Sequence, residues 1–197
     1  MVAPVLKPIW DQSFDRVATL ARLYEFSKRQ GRGRRSFHPF ALGHIFSSTL
    51  IEEITNVTDK EATWGQALDE SRGLSPEIDV IIYHGKPLVN WPRAGYTLVK
   101  PGQVLATVSC KVEIIPDTPR SREFNEEVRT LKQYLPRKTK NFIFGQYVYR
   151  GRDIWEKQKR HLIAQGWDGV YVLHDGTQGD MERREDWYGF LGQVSGL

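Results

Sequence analysis

Two stretches of the chain place ionisable side chains among apolar residues. Asp79 opens the run "DVIIY", and Lys111 lies near the end of "QVLATVSCKVEII". Because side chains alternate between the two faces of a β-strand, Ser109, Lys111 and Glu113 would share one face of the second run. If the two runs pair as strands, carboxylates and an ammonium group meet on one surface of a sheet.

This combination of groups is suited to the hydrolysis of a phosphodiester bond. Asp79 and a second carboxylate would bind Mg²⁺ or Mn²⁺, hard cations that select oxygen ligands and retain water. A bound metal lowers the pKa of its water and offsets negative charge on the transition-state phosphate. Lys111 would position that water or stabilise the developing charge. The competing interpretation is a salt bridge between neighbouring strands, or polar strand ends that face solvent.

The spacing of apolar residues predicts the elements that hold these groups. A helical leader is followed by a second helix, a run of strands, and helices that alternate with single strands. This order predicts a three-layer mixed α/β domain with the sheet between helices. Ser13 is the predicted N-cap of the first helix. The predicted helices are 13–30, 39–55, 120–135 and 152–165, and the predicted strands are 62–69, 77–83, 103–115, 141–149 and 169–173.

Length and composition restrict the class of protein. The 197 residues predict a single domain, made of a helix and basic loop at 1–38, a core at 39–174 and a closing segment at 175–197. The single cysteine, Cys110, excludes an internal disulfide framework and favours a reducing cytoplasm; we expect it to pack in the core. The sequence shows no signal-peptide pattern and no apolar run of membrane-spanning length, so we expect no membrane partner.

Positive charge gathers in short segments of a chain whose net charge is +4. Such segments are either solvated loops and helix faces or contacts to the phosphates of nucleic acid. Trp91 and Tyr96, between the two strong strands, either pack at the rim of the core or touch nucleic acid. The candidate phosphate contacts are Arg32, Arg34, Arg35, Arg120, Arg122, Lys138 and Lys140.

The order of Asp79 and Lys111 on successive strands resembles the PD-(D/E)xK nuclease superfamily, the restriction-endonuclease-like proteins. The core order of that superfamily, αβββαβ, is similar to the order predicted for residues 41–149. The stretch "SPEIDVIIY" and the later "VLATVSCKVEI" resemble nuclease-like domains found among prokaryotic restriction and defence genes. The resemblance implies a Mg²⁺-dependent endonuclease acting on DNA rather than RNA, and by analogy a homodimer.

The resemblance also implies roles for individual residues. Asp79 matches the metal-binding aspartate, and Lys111 matches the lysine of the motif. Ser109 stands where a metal-binding carboxylate is expected, as in restriction enzymes that carry Ser-x-Lys and take the missing carboxylate from the following helix.

Several glutamates are candidates for the missing carboxylate. Among Glu123, Glu126 and Glu127 of the following helix, Glu123 is preferred because it lies in the first turn. Glu113 is the rival metal ligand, on the face of Lys111. A supporting glutamate on the first core helix would be Glu53, preferred over Glu52; surface solvation is the alternative for each of these glutamates.

Ser109 also supports a different interpretation of the whole chain. A hydroxyl is a weak Mg²⁺ ligand, so the chain could be a nuclease-like fold without catalysis that binds nucleic acid or a protein partner. A structural subunit of a larger complex is the third possibility.

Overall fold

The computed structural model describes residues 6–30, 39–114, 119–148, 152–175 and 181–197. The helices in these ranges are α1 (Lys7–Gln30), α2 (Pro39–Val57), α3 (Pro119–Tyr134), α4 (Arg152–Ala164) and α5 (Arg184–Ser195). The strands are β1 (Glu61–Asp69), β2 (Gly73–Leu74), β3 (Ile78–Tyr83), β4 (Val89–Trp91), β5 (Tyr96–Val99), β6 (Val104–Ile114), β7 (Lys140–Val148), β8 (Gly169–Asp175) and β9 (Met181–Glu182).

The strands form one mixed sheet in the order β4-β5-β1-β3-β6-β7-β8-β9, and β2 pairs with β1 outside this path. β1, β3 and β6 are antiparallel neighbours, whereas β6, β7 and β8 run parallel. Parallel neighbours need crossover connections, which α3 and α4 supply. The succession α2, β1, β3, β6, α3, β7 is the predicted αβββαβ order, with β4 and β5 as an excursion between β3 and β6.

Helices α1, α2 and α5 cover one face of the sheet. The apolar residues of α2 recur every four positions and form a buried stripe. α1 and α5 add residues to the same core, which also holds Val80 and Ile82 of β3. The buried apolar residues described in the three helices are Trp10, Phe14, Val17, Ala18, Leu42, Phe46, Leu50, Ile54, Trp187, Phe190, Leu191 and Val194.

Helices α3 and α4 cover the opposite face. Phe124 and Val128 of α3 are buried with Trp155 and Leu162 of α4. Residues four apart lie on one side of a helix, so Glu123 and Glu127 form a row directly beside this buried stripe. The apolar residues of α3 therefore fix the direction in which its acidic row faces.

The predicted three-layer α/β class is confirmed, and the start of α1 differs from the prediction. The helix begins at Lys7, so Ser13 is not its N-cap but a buried residue within it. Pro8 lies in the first turn, where a proline is tolerated because the missing N–H has no helical acceptor there. Of the helices in the described ranges, none is long and apolar enough to span a membrane.

Candidate active site

The candidate site lies where β3 and β6 separate. Their ladder extends from the pair Tyr83–Val104 to the pair Val80–Val108, and β6 continues beyond it to Ile114 beside β7. Asp79 is the next residue of β3 beyond this ladder. The Asp79 carboxylate takes the place of a backbone partner, because its Oδ2 accepts a hydrogen bond of 2.7 Å from the N–H of Cys110.

Lys111 projects from β6 towards α3. Its Nζ lies 3.0 Å from Oε2 of Glu127 and 5.4 Å from the centre of the Phe124 ring. Both partners come from the helix that follows β6, and the buried stripe of α3 holds that helix against the sheet. Glu127 is thus a carboxylate of α3 that contacts Lys111.

A groove of about 240 Å³ separates these strands from α3. Asp79 and Ser109 line its strand side, and Glu123, Glu126 and Glu127 line its helix side. Ser109 is 3% exposed, and within the described part of the chain its Oγ has no hydrogen-bond partner. The groove therefore combines excess acidic charge with a buried hydroxyl that lacks a partner.

The electrostatic surroundings of Asp79 favour the arrival of a cation. Burial is the largest cause of a raised pKa for the Asp79 carboxyl, and repulsion from Glu127 and Glu77 also raises it. Attraction to Lys111 and the hydrogen bond from Cys110 oppose this effect only in part. The ionised carboxylate is thus under-compensated, and a positive ion in the groove would stabilise it.

Cys110 contributes its backbone to the site rather than its thiol. Its side chain packs against the core that is formed with α1, α2 and α5. Burial raises the pKa of this thiol well above its ordinary value, and the Asp79 charge adds to the effect. A protonated thiol is a poor nucleophile, so the geometry agrees with the expected packing role.

The described residues of the groove offer oxygen donors but no complete cage of protein ligands for a metal ion. No group of three His, Cys, Asp or Glu side chains that could hold a metal occurs among the residues the structure describes. Mg²⁺ is commonly bound through one or two carboxylates and keeps several waters. Asp79, a glutamate of α3 and the unpartnered Ser109 hydroxyl fit that hydrated mode, although they do not form a cage of protein ligands.

The glutamates predicted from sequence have different surroundings. Glu123 lines the groove. Glu53 is buried, and its Oε2 lies 2.6 Å from Nη2 of Arg16, so this carboxylate joins α2 to α1. Glu113 pairs with Tyr147 through the β6–β7 ladder, and its side chain lies outside the described part of the chain. The metal-binding roles of Glu123 and Glu113 and the supporting role of Glu53 stay predictions.

The contact between Glu127 and Lys111 was not predicted from the sequence. The sequence favours Glu123, which lies in the first turn, and offers Glu127 as one of three candidate ligands on its helix. The usable signal was its position between Phe124 and Val128, which places it beside the buried stripe.

The predicted phosphate contacts are only partly described. Arg122 and Lys138 are exposed, while exposed Lys140 forms an ion pair of 3.0 Å with Asp168. The remaining four predictions, Arg32, Arg34, Arg35 and the side chain of Arg120, lie outside the described residues.

Comparisons with known proteins support the fold. No protein-family model and no curated protein matches the chain. NucC of P. aeruginosa ATCC27853 in its cAAA-bound form is 12% identical and has a TM-score of 0.67, over 98% of this chain and 92% of NucC. For cAAA-bound NucC of E. coli MS115-1 the identity is 10% and the TM-score 0.66, over 98% and 91% of the two chains.

The apo form of the E. coli NucC is also similar, with 13% identity and a TM-score of 0.57 over 90% of this chain and 88% of NucC. Identities this low establish the architecture and not the chemistry. The chain has the restriction-endonuclease-like fold that it shares with NucC.

Proposed function

We propose that this protein is a metal-dependent nuclease that hydrolyses phosphodiester bonds, acting as a DNA endonuclease in prokaryotic defence. The observation that carries the proposal is the groove lined by Asp79, Glu127 and the buried hydroxyl of Ser109, with Lys111 bound to Glu127 beside it. The shared fold with NucC supports it, as do the exposed basic residues Arg122 and Lys138.

Each residue of the groove has a chemical role in this proposal. Asp79 and Glu127 or Glu123 would hold Mg²⁺ or Mn²⁺, with the Ser109 hydroxyl as a weaker oxygen donor. The bound ion would supply a water of lowered pKa and offset the charge of the phosphate.

Lys111 acts on the same phosphate from the β6 side. Its ammonium group donates hydrogen bonds to a phosphate oxygen and stabilises the negative charge that develops there. The N–H of Cys110 keeps the Asp79 carboxylate in a fixed orientation, since it binds Oδ2. The backbone N–H of Cys110 and the side chain of Lys111, both on β6, are therefore in position before substrate binds.

Plasmid cleavage tests the proposal directly. We expect supercoiled DNA to be nicked or linearised in Mg²⁺ or Mn²⁺, and expect Asp79→Asn and Lys111→Ala each to lower the rate by about a hundredfold or more. Lys157→Ala, which removes an exposed lysine of α4, is the matched control and should cut at the wild-type rate. Equal cleavage by all four proteins would assign the activity to a contaminant and remove the catalytic assignment.

A second candidate function is favoured by Ser109 in the place of a carboxylate. In this alternative the chain is a nuclease-like module that binds nucleic acid or a protein and cuts nothing. Titration of the metal-free protein with Mn²⁺, followed by electron paramagnetic resonance, separates the two. A site that disappears in Asp79→Asn supports the nuclease, and its absence from the wild type supports the module.

A further inference from the structure

Four aromatic side chains form a continuous row beside the candidate site. Trp64 of β1 lies opposite Tyr96 of β5, and Tyr96 lies opposite Trp91 of β4. Directly opposite residues project to the same face of a sheet. His44 of α2 completes this aromatic row: the centroid distances are 5.8 Å for His44–Trp64, 5.0 Å for Trp64–Tyr96 and 5.7 Å for Trp91–Tyr96.

The aromatic row is open to solvent, unlike the tryptophans of the core. Trp91 is 49% exposed, His44 is exposed, and Trp64 and Tyr96 are half-buried. Trp155, Trp167 and Trp187, by contrast, are almost fully buried. Packing among the residues that the structure describes does not account for a row of rings that keeps so much apolar surface in water.

One end of the aromatic row reaches the proposed catalytic carboxylate. His44 and Trp64 line a cavity of about 400 Å³ together with Asp79, Glu77 and Cys110. The other end is Trp91 on β4, the last strand of the sheet on that side. The aromatic row therefore runs from Asp79 to the sheet edge, and exposed Arg93 follows Trp91 in the next turn.

We propose that the aromatic row binds unpaired nucleobases, so that the favoured substrate is single-stranded DNA or DNA with unpaired nucleotides beside the scissile phosphate. This inference rests on the proposed nuclease function. Every base has a π-face that stacks on aromatic side chains, whereas stacking neighbours cover the base faces inside a duplex. The rings of the row contact one another, so bases stack on their outward faces, and Arg93 attracts the backbone.

Oligonucleotide binding in EDTA tests the inference without any cleavage step. Fluorescence anisotropy measures the affinity of the full chain for a labelled single-stranded 20-mer and for the duplex of the same sequence, at one salt concentration. Trp91→Ala should weaken single-strand binding about tenfold, within the range of one lost base stack, and leave duplex binding unchanged. Trp91→Phe, which keeps an aromatic face, should stay within about threefold of wild type.

Leu74→Ala is the matched control, since Leu74 is 49% exposed on another short strand, β2. It should bind as wild type does. Unchanged single-strand affinity in Trp91→Ala, or an equal loss for the duplex, overturns the inference. A lower oligomeric mass of Trp91→Ala by light scattering, with DNA binding unchanged, would overturn it in favour of an interface with a second copy.

The two proposals fail in different ways. Absence of metal-dependent plasmid cleavage, with Trp91-dependent binding retained, rejects the nuclease and leaves a single-strand-binding surface. Cleavage that depends on Asp79, with no effect of Trp91 on binding, leaves the nuclease and rejects the aromatic row.

Discussion

Two carboxylates of this protein have similar backbone contacts but opposite charge surroundings. Asp79 accepts a hydrogen bond from the N–H of Cys110, and Asp186 accepts one of 3.1 Å from the N–H of Val172. Asp186 is also 3.1 Å from Nζ of Lys159 and 3.5 Å from Nη2 of Arg183.

The lysines near the two carboxylates have different ion-pair partners. Lys159 forms an ion pair with Asp186 itself. Lys111 forms its ion pair with Glu127 instead, and Glu127 is a further acidic group in the surroundings of Asp79. Two cations thus contact Asp186, one of which, Arg183, is shared with Glu156 and Asp175. Asp79 faces Glu77 and Glu127, and Lys111 is the cation that lowers its pKa. The difference indicates that the Asp186 cluster stabilises the fold and that the Asp79 groove retains negative charge that is only partly compensated.

The largest expected effect on stability comes from breaking the Asp186 cluster. Asp186→Ala leaves Lys159 and the N–H of Val172 without their carboxylate partner, while Arg183 keeps Glu156 at 3.1 Å, and it should lower the free energy of unfolding by about 3 kcal/mol. Urea denaturation followed by circular dichroism measures this change. A loss below about 1 kcal/mol would contradict the structural role given to Asp186.

A divalent cation should stabilise the protein by binding in the Asp79 groove and not at the Asp186 cluster. At a Mn²⁺ concentration ten times the dissociation constant, linkage predicts stabilisation by about 1.4 kcal/mol. Differential scanning fluorimetry should show this increase for wild type and for Lys157→Ala, but not for Asp79→Asn. An equal increase in Asp79→Asn would place the ion elsewhere.

Removing the charge of Asp79 should stabilise the metal-free protein at neutral pH. Because the folded-state pKa of Asp79 is raised, the folded protein binds more protons than the unfolded chain between the two pKa values, and stability falls as pH rises through that interval. Asp79→Asn escapes this loss, so its melting temperature in the absence of metal should exceed that of wild type.

The same variant gives the pH test of that explanation. The excess stability of Asp79→Asn over wild type should reach its full value above the folded-state pKa of Asp79. It should vanish below about pH 3.9, the ordinary pKa of an aspartate. Thermal unfolding in EDTA across this range measures it. An advantage that persists at low pH would arise from packing and not from charge.

The smallest effect is expected for the side chain of Cys110. Because the contact to Asp79 comes from the backbone, Cys110→Ala keeps it and loses only part of a packed side chain, at a cost below about 1 kcal/mol. Plasmid cleavage and Mn²⁺ affinity should stay within about twofold of wild type. A loss of cleavage as large as that of Lys111→Ala would give the thiol a chemical role.

The sequence predicted the parts of the fold that depend on local periodicity. The alternation of side chains along each strand predicts that Asp79 and Ser109 share one surface of the sheet, and both line the groove. The helical spacing of apolar residues such as Phe124, Val128 and Leu131 predicts α3. Short strands such as β9 were not predicted, because two residues carry no period.

The details that decide the site depend on tertiary geometry. The contact of Glu127 with Lys111 follows from how α3 is rotated on the sheet, and the N–H of Cys110 reaches Asp79 because the ladder ends one pair earlier. The cluster of Asp186, Lys159 and Arg183 joins residues of α4 to residues around the start of α5, and no spacing along the chain indicates such a pairing.

The helices α1 and α5 complete one core although they are far apart in the chain. Arg184 at the start of α5 lies 2.6 Å from Asp15 of α1, and Trp187 packs with Phe14 in the same apolar cluster. During synthesis, the core on this face of the sheet lacks the aromatic residues of α5 until that helix has emerged, so α1 and α2 alone cover β7 up to that point. A nascent chain without α5 therefore has an incomplete core behind the strands that carry the groove.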